Sequence, residues 1–226
     1  MKKFLEKRLE KASADYYSGN PSMSDDEFDA LARAVNFKQV GTREGRVPHA
    51  YQMYSLQKIF KGEECPFASD DVIVTPKLDG SAISILYLEG ELERVLTRGD
   101  GKSGIDITDK FKKSKLIPQT IVIGHEITQV TGEIVAPKSV PNSRNYAAGS
   151  LNLKDIDEFL TRDLCFVAYG VEPQFSSTFH EDMKVLSDTL GFNTVTQSDW
   201  AEFPHDGTVW RLNDNEKFRR LGYTSH

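Results

Sequence analysis

Residues 82–88 and 91–97 form two strand-length runs on either side of Glu89-Gly90, the pattern of a β-hairpin closed by a tight turn. A hairpin commits the chain around it to antiparallel pairing, because parallel strands need a crossover of a dozen or more residues. Asp71-Val-Ile-Val-Thr-Pro-Lys77 reads as a strand ending at a loop, and further strands are expected at 127–136, 164–171 and 207–212. Helices are expected around 153–160 and around 180–190, where Met183, Leu186 and Leu190 share a face and Gly191 closes the end; Asn213-Asp-Asn-Glu216 looks like another helix start.

The amino-terminal part obeys a different period. Leu5, Leu9, Ala12 and Tyr16 stand at helical spacing, and Ser18-Gly-Asn-Pro21 supplies a polar turn. Ser24-Asp-Asp-Glu27 is a capping box ahead of a second apolar face made by Phe28, Leu31, Ala32 and Val35. The fold class is therefore α+β. A small helical hairpin over residues 1–37 is followed by a linker over 38–54, rich in Gly and charge up to residue 48, and then by a mostly antiparallel domain over 55–226.

At 226 residues the chain suits one large domain with a small appendage, and its core needs no disulfide or metal staple. Cys65 and Cys165 are isolated, which argues against a zinc module and fits a reduced, cytoplasmic setting. The start, Met1-Lys-Lys-Phe-Leu-Glu6, turns charged before any apolar run develops, so neither a signal peptide nor a membrane anchor is expected. A net charge of −6 excludes general polyanion binding and leaves nucleic acid to local basic patches, of which Lys110-Phe-Lys-Lys-Ser-Lys115 is one.

The segment Lys77-Leu-Asp-Gly80 carries the chemistry. A lysine ordinarily titrates near 10.4, so an amine that attacks phosphorus needs nearby cations or desolvation to release its proton. Gly80 lets a ligand approach the backbone there. Four residues are a weak signal alone. Gly101-Lys102-Ser103 resembles the end of a phosphate-binding loop, but Leu96 stands where that loop needs its first glycine.

The ordered set Lys77-Leu-Asp-Gly80, Arg98-Gly-Asp-Gly101, Gly132-Glu133, Asn145-Tyr-Ala-Ala-Gly-Ser-Leu151, Tyr169-Gly-Val171 and Asp206-Gly207 resembles the adenylation domain of NAD-dependent DNA ligases, over essentially the whole chain. The resemblance implies a nucleotidyltransferase fold akin to ATP-grasp enzymes. It implies that Lys77 attacks the α-phosphate of NAD, expels nicotinamide mononucleotide (NMN) and becomes lysyl-AMP. The AMP then passes to the 5′-phosphate of nicked double-stranded DNA, and the 3′-hydroxyl seals the nick. Asp79 is implied to orient Lys77 or a metal-bound water. Arg98 is implied to meet phosphate or ribose, and Glu133 to take ribose hydroxyls and help hold Mg. Tyr169 faces the adenine in this reading, and Ser55-Leu56 lines its side. Arg144 and Asn145 fall near the nucleotide or DNA backbone.

The helical hairpin would be the NMN-binding segment. Tyr16 and Tyr17 match an aromatic pair suited to a cationic ring, and Asp25, Phe28 and Asp29 match an acidic-aromatic run. Three positions depart from the family: Thr75 where a glutamate reads adenine, Phe28 for tyrosine, and Arg211 for a lysine beside the phosphate. After Leu221-Gly-Tyr-Thr-Ser-His226 the family continues with a lysine-bearing strand, an oligonucleotide-binding barrel, a zinc module and helix-hairpin-helix repeats. The expectation is a natural first subunit of a split, phage-type enzyme whose partner supplies these, or a shortened chain. The competing expectations are an ATP-dependent DNA or RNA ligase, which has no use for the hairpin, and a non-catalytic NAD-binding scaffold.

Overall fold

A computed structural model describes residues 2–17, 22–36, 45–60, 62–63, 71–122 and 125–221. Side chains of Tyr16, Tyr17 and Asp25 lie outside the described set, as do the turn 18–21 and Cys65.

A four-stranded antiparallel sheet, in the order β4 (Glu91–Thr97), β3 (Ser81–Leu88), β6 (Ile127–Val135), β7 (Cys165–Glu172), forms the frame. Two small sheets flank it, pairing β1 (Arg46–Pro48) with β5 (Ser103–Ile105) and β2 (Val72–Leu78) with β8 (His205–Leu212). Every strand pair in these sheets is antiparallel among the described residues, as the Glu89-Gly90 hairpin requires.

Alternation along β3 divides the molecule. Ile83, Ile85 and Tyr87 enter the main core, whereas Leu86 and Leu88 enter a second cluster on the opposite face. The main core is closed by Phe111 of α3 (Thr108–Lys113), Ala147 and Leu151 of α4 (Ser143–Leu151), Phe159 of α5 (Ile156–Leu160), and Phe179 and Met183 of α6 (Phe179–Lys184). A π turn at Val185–Thr189 interrupts the helix expected over 180–190 and still buries Leu186. The short α7 (Asn215–Arg220) follows β8, capped by the Asp214 carboxylate accepting from the Lys217 amide.

The second cluster receives the amino-terminal hairpin. α1 (Lys2–Tyr17) contributes Leu5, and α2 (Asp25–Asn36) contributes Ala30, Leu31, Ala34 and Val35, packed on Leu86, Leu88 and Ile127. The capping box forms: the Ser24 amide donates to the Glu27 carboxylate at 3.0 Å, and the Glu27 amide donates to Ser24 Oγ at 3.3 Å. Each fully buried leucine in this contact contributes about 1.5–3 kcal/mol, so the hairpin is a packed part of the body.

The segment expected as a linker is pinned to that same face. Its β1 strand pairs with β5, and buried Gln129 accepts from the Tyr51 amide at 2.9 Å while donating to the Tyr51 carbonyl at 2.8 Å. The α4 helix has no counterpart among the expected helices. Asn145, Tyr146, Gly149 and Ser150 are poor helix formers, and burial of Ala147 and Leu151 against the sheet decides the local structure instead. The lysine patch covers the end of α3, where Phe111 is fully buried and Lys112, Lys113 and Lys115 face solvent.

Candidate functional site

Lys77 sits at an irregularity. Register runs from Pro76↔Thr208 to Leu78↔His205, which leaves Lys77 without a cross-strand partner and turns it out of the ladder. Leu78 beside it is buried in the main core, so Lys77 emerges on the other side of the strand, with its side chain 40% exposed. Its ammonium donates to both oxygens of Asp206, at 2.8 and 3.0 Å. That bond is the foremost cause holding the Asp206 carboxyl below the usual carboxylate range.

Asp79 and Gly80 follow in the turn into β3. Asp79 pairs with Arg144 at 3.2 Å, and Arg144 stands in the first turn of α4, so helix and turn meet over the site. Gly80 passes so close to β6 that a Cβ there would lie 2.0 Å from the Ile134 carbonyl oxygen. This approach lets the Gly80 amide donate to Glu133 Oε1 at 3.3 Å. Burial pushes the Glu133 carboxyl up to about 7, against the Gly80 amide and the Lys77 charge, which pull it down. Lys77, Asp79, Glu133, Arg144 and Asp206 thus form one charged cluster.

A second group continues along the same face. Arg98 extends β4, its amide donating to the Ala82 carbonyl, and its Nη2 donates to Ser55 Oγ at 2.6 Å. The Met53 amide donates to the Gly101 carbonyl at 2.8 Å, and a Cβ on Gly101 would strike Met53 oxygen at 2.4 Å. In β7, Gly170 opposes Thr131 and Ala168 opposes Gly132, so Tyr169 is the extra residue of a bulge, 36% exposed. Burial of its phenol, and after it the Glu133 charge, push the hydroxyl above the usual tyrosine range, against the opposing Arg98 charge. Leu56 projects at 57% exposure from the strap, the segment of residues 45–56 that pairs with β5 and lies against the Arg98–Gly101 turn.

Other sequence-expected residues lie elsewhere. Asn145 is exposed on α4 beside Arg144. Thr75 is buried in β2 opposite Val209. Arg211 pairs with Ile73, about 13 Å along the strand from Lys77. Its guanidinium lies over the rings of Phe179 and Phe218 at 4.5 and 3.8 Å, donates to Asn215 Oδ1 at 2.8 Å and reaches the Leu212 carbonyl. The hairpin docks around Ile127, about 20 Å along β6 from Glu133. Half-buried Phe28 and exposed Asp29, which pairs with Arg33 at 3.9 Å, are therefore not beside Lys77. The sequence marks the Asp206-Gly207 segment but carries no local signal that sets Asp206 itself beside Lys77, 129 residues away.

Among the described residues, no three His, Cys, Asp or Glu side chains converge as a ready metal cage. The Glu133 and Asp206 carboxylates are nevertheless of the kind that suits Mg, which takes one or two carboxylates and completes its shell with water and phosphate oxygens.

Residues 43–140 match the NAD-dependent DNA ligase adenylation domain. That stretch includes Ser55, Lys77, Asp79, Arg98 and Glu133. The chain is a relative of the NAD-dependent DNA ligases. It is 28% identical to the DNA ligase of Campylobacter concisus over 94% of this chain and 42% of that one. It is 28% identical to that of Aquifex aeolicus over 93% and 40%, and 34% identical to that of Chlorobium phaeovibrioides over 69% and 29%. This ligase relative spans about two fifths of the length of the first two. No helix among its described residues is long and apolar enough to cross a membrane.

Proposed function

We propose that this chain performs the adenylylation step of NAD-dependent DNA ligation, with Lys77 as nucleophile. After its ammonium gives up a proton to a neighbouring carboxylate or to water, the Lys77 Nζ forms a bond to the α-phosphorus of NAD, the bond to the bridging oxygen breaks, and nicotinamide mononucleotide leaves with that oxygen. The observation that carries this reading is the lysine held out at a strand irregularity, bonded to Asp206 and ringed by Asp79, Glu133 and Arg144.

In this reading Asp206 holds the resting lysine in place as its ammonium. Glu133, titrating near neutrality, accepts ribose hydroxyls or a proton. Arg98, anchored on Ser55, meets phosphate or ribose, and Tyr169 presents its ring to the adenine, with Leu56 beside it. Glu133 or Asp206 would hold Mg, which would supply charge neutralisation at the phosphates. Arg144 sits where a guanidinium can favour a phosphate, and Asn145 lies beside it. The body is read as a nucleotidyltransferase fold, and α1–α2 with Tyr16, Tyr17, Asp25, Phe28 and Asp29 as the NMN-binding hairpin. Arg211 is assigned to supporting the nucleotide from the β8 side. Sealing of nicked double-stranded DNA is assigned to this chain together with a second subunit, in a cytoplasmic setting.

Intact mass spectrometry tests the core of the reading. Protein incubated with Mg and NAD is expected to gain one AMP, and Lys77→Ala to gain none. ATP in place of NAD is expected to give no adduct. An adduct that survives Lys77→Ala overturns the assignment.

A further inference from the structure

His49 is buried, with 2% of its surface exposed, in a stretch whose sequence reads as linker. Its backbone amide donates to the Lys102 carbonyl at 3.0 Å, and its ring Nε2 lies 2.9 Å from the Arg98 carbonyl. A carbonyl only accepts, so Nε2 carries the proton. Ring Nδ1, 2.8 Å from Ser84 Oγ, then accepts from that hydroxyl. One residue thereby grips both ends of the turn Arg98–Lys102 and fastens it to β3. The Arg98 carbonyl also accepts from the Gly101 amide, and the strap adds Met53 and Ser55 to the same turn. Burial lowers the His49 pKa, which keeps the ring neutral in this tautomer beside the Arg98 charge.

An arginine side chain carries about 2 kcal/mol of rotamer entropy, so one that must meet an anion benefits from a fixed main chain and a fixed anchor. We propose that His49 is a positioning residue that presents the Arg98 guanidinium to the nucleotide by clamping the Arg98–Lys102 turn between Ser84 and the strap. This rests on the reading of the Lys77 cluster as an NAD site. Gln129 also pins the strap, through Tyr51, but touches neither Arg98 nor its turn, so it separates loss of the strap from loss of the clamp.

The test is a double-mutant cycle read by calorimetric Kd for NAD without Mg, so that binding is measured apart from chemistry. His49→Ala is expected to weaken binding about tenfold, the size of one or two lost hydrogen bonds. In an Arg98→Ala background the same change is expected to add less than about twofold. His49→Gln, whose amide can still donate to the Arg98 carbonyl, is expected to recover most of the affinity. Equal losses in both backgrounds, or a Gln129→Leu loss matching that of His49→Ala, overturn the proposal. Should His49→Ala not fold, Ser84→Ala must show a smaller loss that vanishes in the Arg98→Ala background, and its absence overturns the proposal as well. A wild-type protein that binds NAD but gains no AMP sinks the adenylylation reading alone. One that binds no NAD sinks both.

Discussion

The Lys77 ammonium rests between the two oxygens of Asp206, at 2.8 and 3.0 Å, across the irregularity that joins β2 to β8. Both side chains are nearly half exposed, so the pair contributes little to stability, about 0–1 kcal/mol after solvent screening. Its value lies in aim. Asp206→Asn keeps the shape and removes the charge that orients the amine. The expected outcome is a fall in AMP transfer to Lys77 of about 10²-fold, with a melting temperature within about 3 °C of wild type. Timed intact-mass measurements and thermal melts check both halves. A variant with unchanged rate separates Asp206 from the chemistry.

Arg144 is tied to the site through Asp79 and is itself 64% exposed on its side chain. It therefore has little packing to lose, and its field reaches Glu133 and Asp206 as well. Arg144→Ala is expected to weaken NAD binding about tenfold or more, whereas Arg144→Lys retains the charge and loses the fork geometry, giving a smaller defect. The defect of Arg144→Ala should shrink as salt rises, because screening weakens the wild-type contact first. Titrations at two ionic strengths measure this.

Much of the candidate cluster was legible because its groups stand at places where local sequence announces a break in regular structure. Lys77 precedes an Asp-Gly turn, Arg98 opens a Gly-Asp-Gly turn, and Glu133 follows Gly132. The Asp206 role was not legible at that level, since its contact with Lys77 joins residues 129 apart. His49 hid for the same reason: its neighbours look like linker, and its partners Ser84 and Arg98 lie 35 and 49 residues away. The period change at residue 71 exposed the strands and the antiparallel class. Helix α4 escaped because tertiary burial, and not propensity, makes it helical.

Gly80 carries a steric demand rather than a conformational one. A methyl group there meets the Ile134 carbonyl at 2.0 Å, and a strand backbone in the middle of the sheet cannot step aside cheaply. Gly80→Ala is expected to destabilise the fold by about 2–4 kcal/mol, by forcing β3 and β6 apart where Glu133 is held. Urea midpoints test the size. A loss below about 0.5 kcal/mol contradicts so close an approach.

Glu133 gives the fold a pH dependence of definite sign. Its carboxyl ordinarily titrates at 4.5, and burial raises it to about 7 in the folded protein. Between those values the folded state holds the proton that the unfolded state has released, so stability falls as pH rises through this window and levels off above about 7. Glu133→Gln supplies a neutral group of the same shape that also accepts from the Gly80 amide. The variant should therefore match wild type near pH 4.5 and exceed it by about 1–3 kcal/mol at pH 8, while losing AMP transfer. Denaturant melts at the two pH values separate this from a packing effect, which would shift both equally. A variant less stable than wild type at pH 8 would mean that the ionised carboxylate is compensated by its neighbours and that its pKa is not raised in the folded protein.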